Sequence, residues 1–86
     1  MNSTEVRAVL LEAVRDLRPE LADLPLTGDE HLGSELGVDS VGRVELLISV
    51  EEAFDIEGEV DPRIFMTPPT VNDLVKQIVV TEAART

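Results

Sequence analysis

The sequence has no cysteine, no tryptophan and no tyrosine, and only two phenylalanines and one histidine. Without cysteine there is no disulfide framework and no thiolate metal site. With so few aromatics, any core must be aliphatic. No apolar run approaches the roughly 18 residues that a membrane span needs. The start, Met1-Asn2-Ser3-Thr4-Glu5, lacks the basic-then-apolar layout of a signal peptide. A cytoplasmic protein without a membrane partner is the expectation. Basic residues are also scarce: seven Lys and Arg stand against eighteen Asp and Glu, for a net charge of −11. Between Thr27 and Asp61 there are eleven acidic residues and one basic residue, Arg43. Such a patch repels nucleic acid and anionic membrane and draws basic protein surfaces toward it. The plainer reading is a solvated face kept for solubility.

The 86 residues suffice for one domain. Its core is expected over about 3–80, with a tail from Thr81 to Thr86 that frays. Asn2 or Ser3 is placed to cap a first helix. Val6, Val9, Leu10, Ala13, Val14 and Leu17 then recur at helical spacing, and Pro19 ends the run. Residues 19–39 form a long connection broken by Pro19, Pro25, Gly28, Gly33 and Gly37. Leu21, Leu24, Leu26, Leu32 and Leu36 are spaced to pin it to the core, with a short helical turn near Glu30 to Glu35. A second helix is expected from Ser40 to Phe54, burying Val41, Val44, Leu47, Ile48 and Phe54. Gly42 is out of place there, at a cost of about 1 kcal/mol relative to alanine.

Asp61-Pro62 reads as a cap followed by proline at the first position of a short helix. Thr70 and Asp73 stand at capping-box spacing before a last helix. That helix carries Val71, Leu74, Val75, Ile78 and Val79 on one side. No stretch reads as a strand and no repeat is evident. The expected fold is all-α: a four-helix bundle of three longer helices and one short one, with a long first loop.

The tract that carries chemistry is Leu36-Gly37-Val38-Asp39-Ser40-Val41, running into Gly42-Arg43-Val44-Glu45-Leu46-Leu47-Ile48. A polar loop ends there and a helix begins, with a serine at the junction. Asp39 or Ser40 can cap the first amides, and the helix start favours an attached anion. A serine in that place is suited to bear a phosphate ester; the plain reading is a helix cap. A serine hydrolase is a poor fit. Ser40 lacks the Gly-x-Ser-x-Gly elbow, His31 is the one histidine, and a chain this small has little room for a triad and a substrate pocket. A calcium site fits no better. Asp55, Glu57, Glu59 and Asp61 alternate, but Gly58 is fourth in the run rather than sixth, and Met66, at the twelfth place, has no carboxylate.

The tract resembles the attachment motif of acyl carrier proteins, Leu-Gly-x-Asp-Ser-Leu followed by x-x-Val-Glu-Leu, and the likeness extends over nearly the whole chain. The resemblance implies that Ser40, with Asp39 as its motif neighbour, bears a 4'-phosphopantetheine arm. A separate magnesium-dependent phosphopantetheinyl transferase would move that arm from coenzyme A. The arm would supply the thiol that the chain lacks, and the protein would be a non-catalytic, monomeric shuttle for acyl thioesters. Partners would be acyl-loading, ketosynthase or other acyl-transfer enzymes with basic docking surfaces, in polyketide or related specialised biosynthesis or in fatty-acid synthesis. Glu45, Glu51 and Glu52 match the family's recognition acids. Ile48, Phe54, Ile64 and Met66 are the candidates for an acyl slot between the second and third helices.

The chain departs from the pattern where carriers of fatty-acid synthesis often have an acid. Gly42 stands there, and Arg43 follows as a partner-facing charge of opposite sign. On that reading, Gly42→Asp with Arg43→Glu should improve acceptance by fatty-acid enzymes. Val38, where peptidyl carriers tend to have glycine, leans toward acyl cargo. A peptidyl carrier and an acidic helical adaptor without a prosthetic group are the alternatives.

Overall fold

The computed structural model describes residues 2–56 and 61–85. Among these residues three helices carry the fold: α1 (Ser3–Leu17), α2 (Ser40–Phe54) and α3 (Val71–Arg85). Two short 3-10 helices join them, η1 (Pro19–Leu21) and η2 (Pro62–Phe65). This is the expected bundle, its short fourth helix being of the tighter 3-10 kind. Each boundary has a local cause. Asn2 caps α1 by accepting from the Glu5 amide at 2.8 Å. Pro19 cannot donate to α1, and it opens η1 instead of a plain loop. Asp61 caps η2 by accepting from the Arg63 amide at 2.9 Å. Thr70 Oγ1 accepts from the Asp73 amide at 3.2 Å and donates to the Asp73 carboxylate at 2.9 Å. The α2 helix ends on Asp55 in the left-handed conformation, φ 55°; the amides of Asp55 and Ile56 both reach the Glu51 carbonyl. An aspartate at that position gives a weaker sequence signal than glycine.

The helix α1 is the central member. It packs against both α2 and α3, whereas those two make no close backbone approach to each other. The short η2 lies between them and touches both. The fully buried side chains follow that plan: Val6, Leu10 and Val14 from α1, Leu46 and Val50 from α2, Phe65 from η2, and Val71, Leu74 and Ile78 from α3. Each contributes about 1.5–3 kcal/mol of burial free energy.

Three expectations need correction. The buried side of α2 is Gly42, Leu46, Leu47 and Val50, with Phe54 half-buried, whereas Val41, Val44 and Ile48 are exposed. Apolar residues occupy two sides of α2, so the helical period fits either, and only the packing against α1 and η2 chooses. Leu24 is exposed, while Leu32 and Leu36 are buried and Leu21 and Leu26 partly so. Finally, the stretch from Thr81, expected to fray, is helical through Arg85. Thr81 and Glu82 are half-buried there, and Ala83-Ala84 is strongly helix-forming.

The long connection is held by hydrogen bonds as well as leucines. The amides of Glu35 and Leu36 reach the His31 carbonyl, closing a turn where a short helical one was expected. His31 Nδ1 accepts from the Gly33 and Ser34 amides at 3.1 and 3.0 Å, so the histidine braces the loop. The Glu30 carboxylate accepts from the amides of Thr27 and Gly28 and from the Thr27 hydroxyl. These bonds, the Thr27 amide first, hold Glu30 below its ordinary value of 4.5 despite partial desolvation. A carboxylate with a depressed folded pKa adds stability above its unfolded pKa and loses it as pH falls through the folded one. The loop should therefore loosen as pH drops below 4.5. Amide exchange at Thr27 and Gly28 should show it, and Glu30→Gln should remove that acid sensitivity while raising exchange at neutral pH.

Candidate functional site

The segment before α2 alternates inward and outward. Leu36 and Val38 are buried, and the Val38 amide donates to the Leu32 carbonyl at 2.8 Å. Gly37, between them, has φ +68° and offers its carbonyl to Arg18 Nη1 at 3.1 Å. The left-handed φ favours glycine here, and a Cβ at Gly37 would displace that same Arg18 nitrogen, 2.7 Å away. The last turn of the loop is thus fastened on two sides immediately before the serine.

Asp39 is the N-cap of α2. Its extended backbone places Oδ1 2.8 Å from the Gly42 amide, from which it accepts. Ser40 is consequently the first helical residue and not the cap. It is exposed, and its hydroxyl makes no hydrogen bond among the described residues. A nucleophilic oxygen sits at a rigid helix start, in solvent, with the capping role taken by its neighbour. That donor set suits an ester to a bulky group: nothing has to be broken to use the hydroxyl, and the helix start favours a phosphate.

Gly42 and Arg43 have internal roles. Gly42 is buried, and a Cβ there would stand 2.9 Å from Val38 Cγ1, so glycine lets α2 seat directly on the loop. Arg43 is half-buried, and its Nη1 donates to the carbonyls of Phe65 at 3.0 Å and Pro68 at 2.7 Å. The expected partner-facing cation is instead a strut from α2 to the segment around η2.

The remaining candidates divide by exposure. Glu45 and Glu52 are exposed on α2; Glu51 is half-buried. Ile48 and Met66 each expose 40% of their surface, and Phe54 and Ile64 are half-buried. Val41, 70% exposed, and Val44 join Ile48 on the outward side of α2. Sequence periodicity places the members of that strip in the core and so misses it; its signal is the surplus of apolar residues on α2.

Among the described residues no group of three or more His, Asp or Glu could hold a metal ion. Glu57 and Glu59, from the alternating acidic run, lie outside the described residues. Asp61 is engaged with Arg63 at 2.7 Å, and the pair lowers the carboxyl and raises the guanidinium from their ordinary values. No described helix is long and apolar enough to cross a membrane.

Residues 8–78 match the family described as phosphopantetheine attachment site, and the chain belongs to that family, the one of the acyl carrier proteins. Over 39 residues it is 44% identical to the mitochondrial acyl carrier protein of Saccharomyces cerevisiae (strain ATCC 204508 / S288c). That alignment covers 45% of this chain and 31% of the yeast protein, so the chain matches under a third of that relative's length. No solved structure matches the chain. The family's domain takes a covalent 4'-phosphopantetheine group. Carriers of this kind work with a phosphopantetheinyl transferase and with acyl-transfer enzymes.

Proposed function

We propose that Ser40 Oγ is the attachment atom and that the chain is an acyl carrier, presenting acyl thioesters to the enzymes of a polyketide or related specialised pathway, or of fatty-acid synthesis. The observation that carries this is the exposed Ser40 hydroxyl, which makes no hydrogen bond among the described residues while Asp39 supplies the cap. When attached, the arm provides a terminal thiol for thioester exchange. The chain's own contribution is positional. Asp39 fixes the helix start, the buried Val38 and the Arg18 contact to Gly37 fix the loop, and Ser40 stays in reach of an enzyme. The similarity to a mitochondrial acyl carrier protein supports acyl over aminoacyl cargo.

Incubation with coenzyme A, magnesium and a broad phosphopantetheinyl transferase should add one phosphopantetheine to the intact mass. Ser40→Ala should add none. An unchanged mass gain in that variant would falsify the assignment of Ser40.

The exposed acids Glu45 and Glu52 support a docking surface on α2 for basic partner surfaces. Charges at an interface rim act mainly on encounter rate and salt dependence. Glu45→Lys with Glu52→Lys should therefore slow acyl transfer from the holo protein and flatten its dependence on salt, with helicity retained. Transfer rates across a salt series, each paired with a circular dichroism spectrum, check this; an unchanged rate and slope would place docking elsewhere.

A further inference from the structure

An open groove of about 470 Å³ runs between the end of α1 and the start of α2. Leu17, Arg18, Val38, Val41, Gly42 and Glu45 form most of its lining. Asp39 and Val41, the residues on either side of Ser40, both belong to that lining, so a group on Ser40 starts at the groove's rim. We propose that the 4'-phosphopantetheine arm lies back into this groove and that Arg18 is its anionic-group anchor. The proposal rests on Ser40 being the attachment atom.

Three features support that occupant. The first is the tether, since attachment at the rim gives the arm a high effective concentration over the groove without any other partner. The second is chemistry. The arm carries a phosphodiester, a branched apolar segment and two amides in succession. The groove offers a guanidinium, the apolar side chains of Leu17, Val38 and Val41, and the polar edges of Gly37, Asp39 and Glu45.

The third feature is charge. The phosphodiester would otherwise stand in an acidic neighbourhood, with Asp39 and Glu45 at hand; Arg18 is the one cation of the lining. Its Nε pairs with Glu20 at 2.5 Å and its Nη1 donates to the Gly37 carbonyl, which holds the guanidinium against the loop. Nη2 donates to no described residue and is left for an oxygen of the arm. The absence of side chains at Gly37 and Gly42 keeps the groove open: a Cβ at Gly42 would stand 3.6 Å from Leu17 Cδ1.

The test compares isotope-labelled apo and holo protein by NMR, the holo form being verified by intact mass. Methyl resonances of Leu17 and Val38 and the Arg18 side-chain Nε should shift on loading. The holo thiol should react with a soluble thiol reagent more slowly than free phosphopantetheine, in proportion to the docked fraction. Arg18→Gln and, separately, Val41→Asp should each restore the free rate; Val41 is exposed, so its replacement leaves the core untouched. Shifts confined to residues next to Ser40, or centred on Val44, Ile48 and Met66, would overturn the groove assignment, as would a thiol rate equal to that of the free arm. Failure to gain the arm's mass is a separate result and would sink the attachment site itself.

Discussion

Installing acids at the start of the second helix, as Gly42→Asp with Arg43→Glu, should lower the melting temperature steeply and should not improve acceptance by fatty-acid enzymes. The sequence pattern invites the opposite expectation, because both positions follow the serine where carriers show docking charges. The geometry reverses it. Any side chain at 42 must enter the space 2.9 Å from Val38 Cγ1, and Val38 is itself buried. Overpacking of that kind costs about 1–3 kcal/mol. Glutamate at 43 removes both guanidinium bonds and sets a carboxylate toward the Phe65 and Pro68 carbonyls. Losing hydrogen bonds to a charged donor costs about 1.5–3 kcal/mol each. The sites are adjacent, so the effects will not simply add. A combined loss of about 3–6 kcal/mol is still a large part of the roughly 5–15 kcal/mol that holds a domain together. Thermal melts of the two single variants and the double variant check this. A double variant that melts with the parent would show that Arg43 points to solvent.

Phe65→Ala is the second variant with a large expected effect. Phe65 is fully buried on a four-residue helix, and η2, like α1, touches both α2 and α3. Truncating a buried phenylalanine costs about 3–5 kcal/mol. The cavity would open where there is little to close it, because α2 and α3 do not approach each other. Phe65→Leu keeps most of the volume and should cost a fraction of that. Denaturant midpoints give the ranking. Hydrogen exchange should rise in the α2 and α3 segments that face η2 before it rises in α1. Equal losses for alanine and leucine would mean that the ring does not fill the seam.

Boundaries were legible in the sequence because caps and prolines act over three or four residues. Asn2, Asp61 and Thr70 lie where their side chains bond, and the Leu36 to Leu47 tract marks the serine by local pattern alone. The choice between Asp39 and Ser40 as cap needed backbone geometry, since either oxygen can reach the first amides. The roles of Gly42 and Arg43 were not legible. Arg43 bonds to main-chain carbonyls 22 and 25 residues away, and a carbonyl leaves no mark in a sequence. The inner side of α2 was misread for a different reason. Val41, Val44 and Ile48 obey the helical period as well as Leu46, Leu47 and Val50 do, and the winner is set by what α1 and η2 present. Arg18 was overlooked because it follows the helix that it leaves, and its carbonyl partner belongs to the far end of the loop.

The placement of η2 between two helices that do not otherwise meet makes residue 65 a shim. With α1 acting as the spine, the angle between the other two helices follows from the thickness of what is set between them. A related carrier could widen or narrow that angle by changing one ring, without redesigning either contact with the spine. Exchanging residues 61–69 between relatives should therefore transplant the spacing of the two helices as a unit, while leaving the serine and its cap where they are.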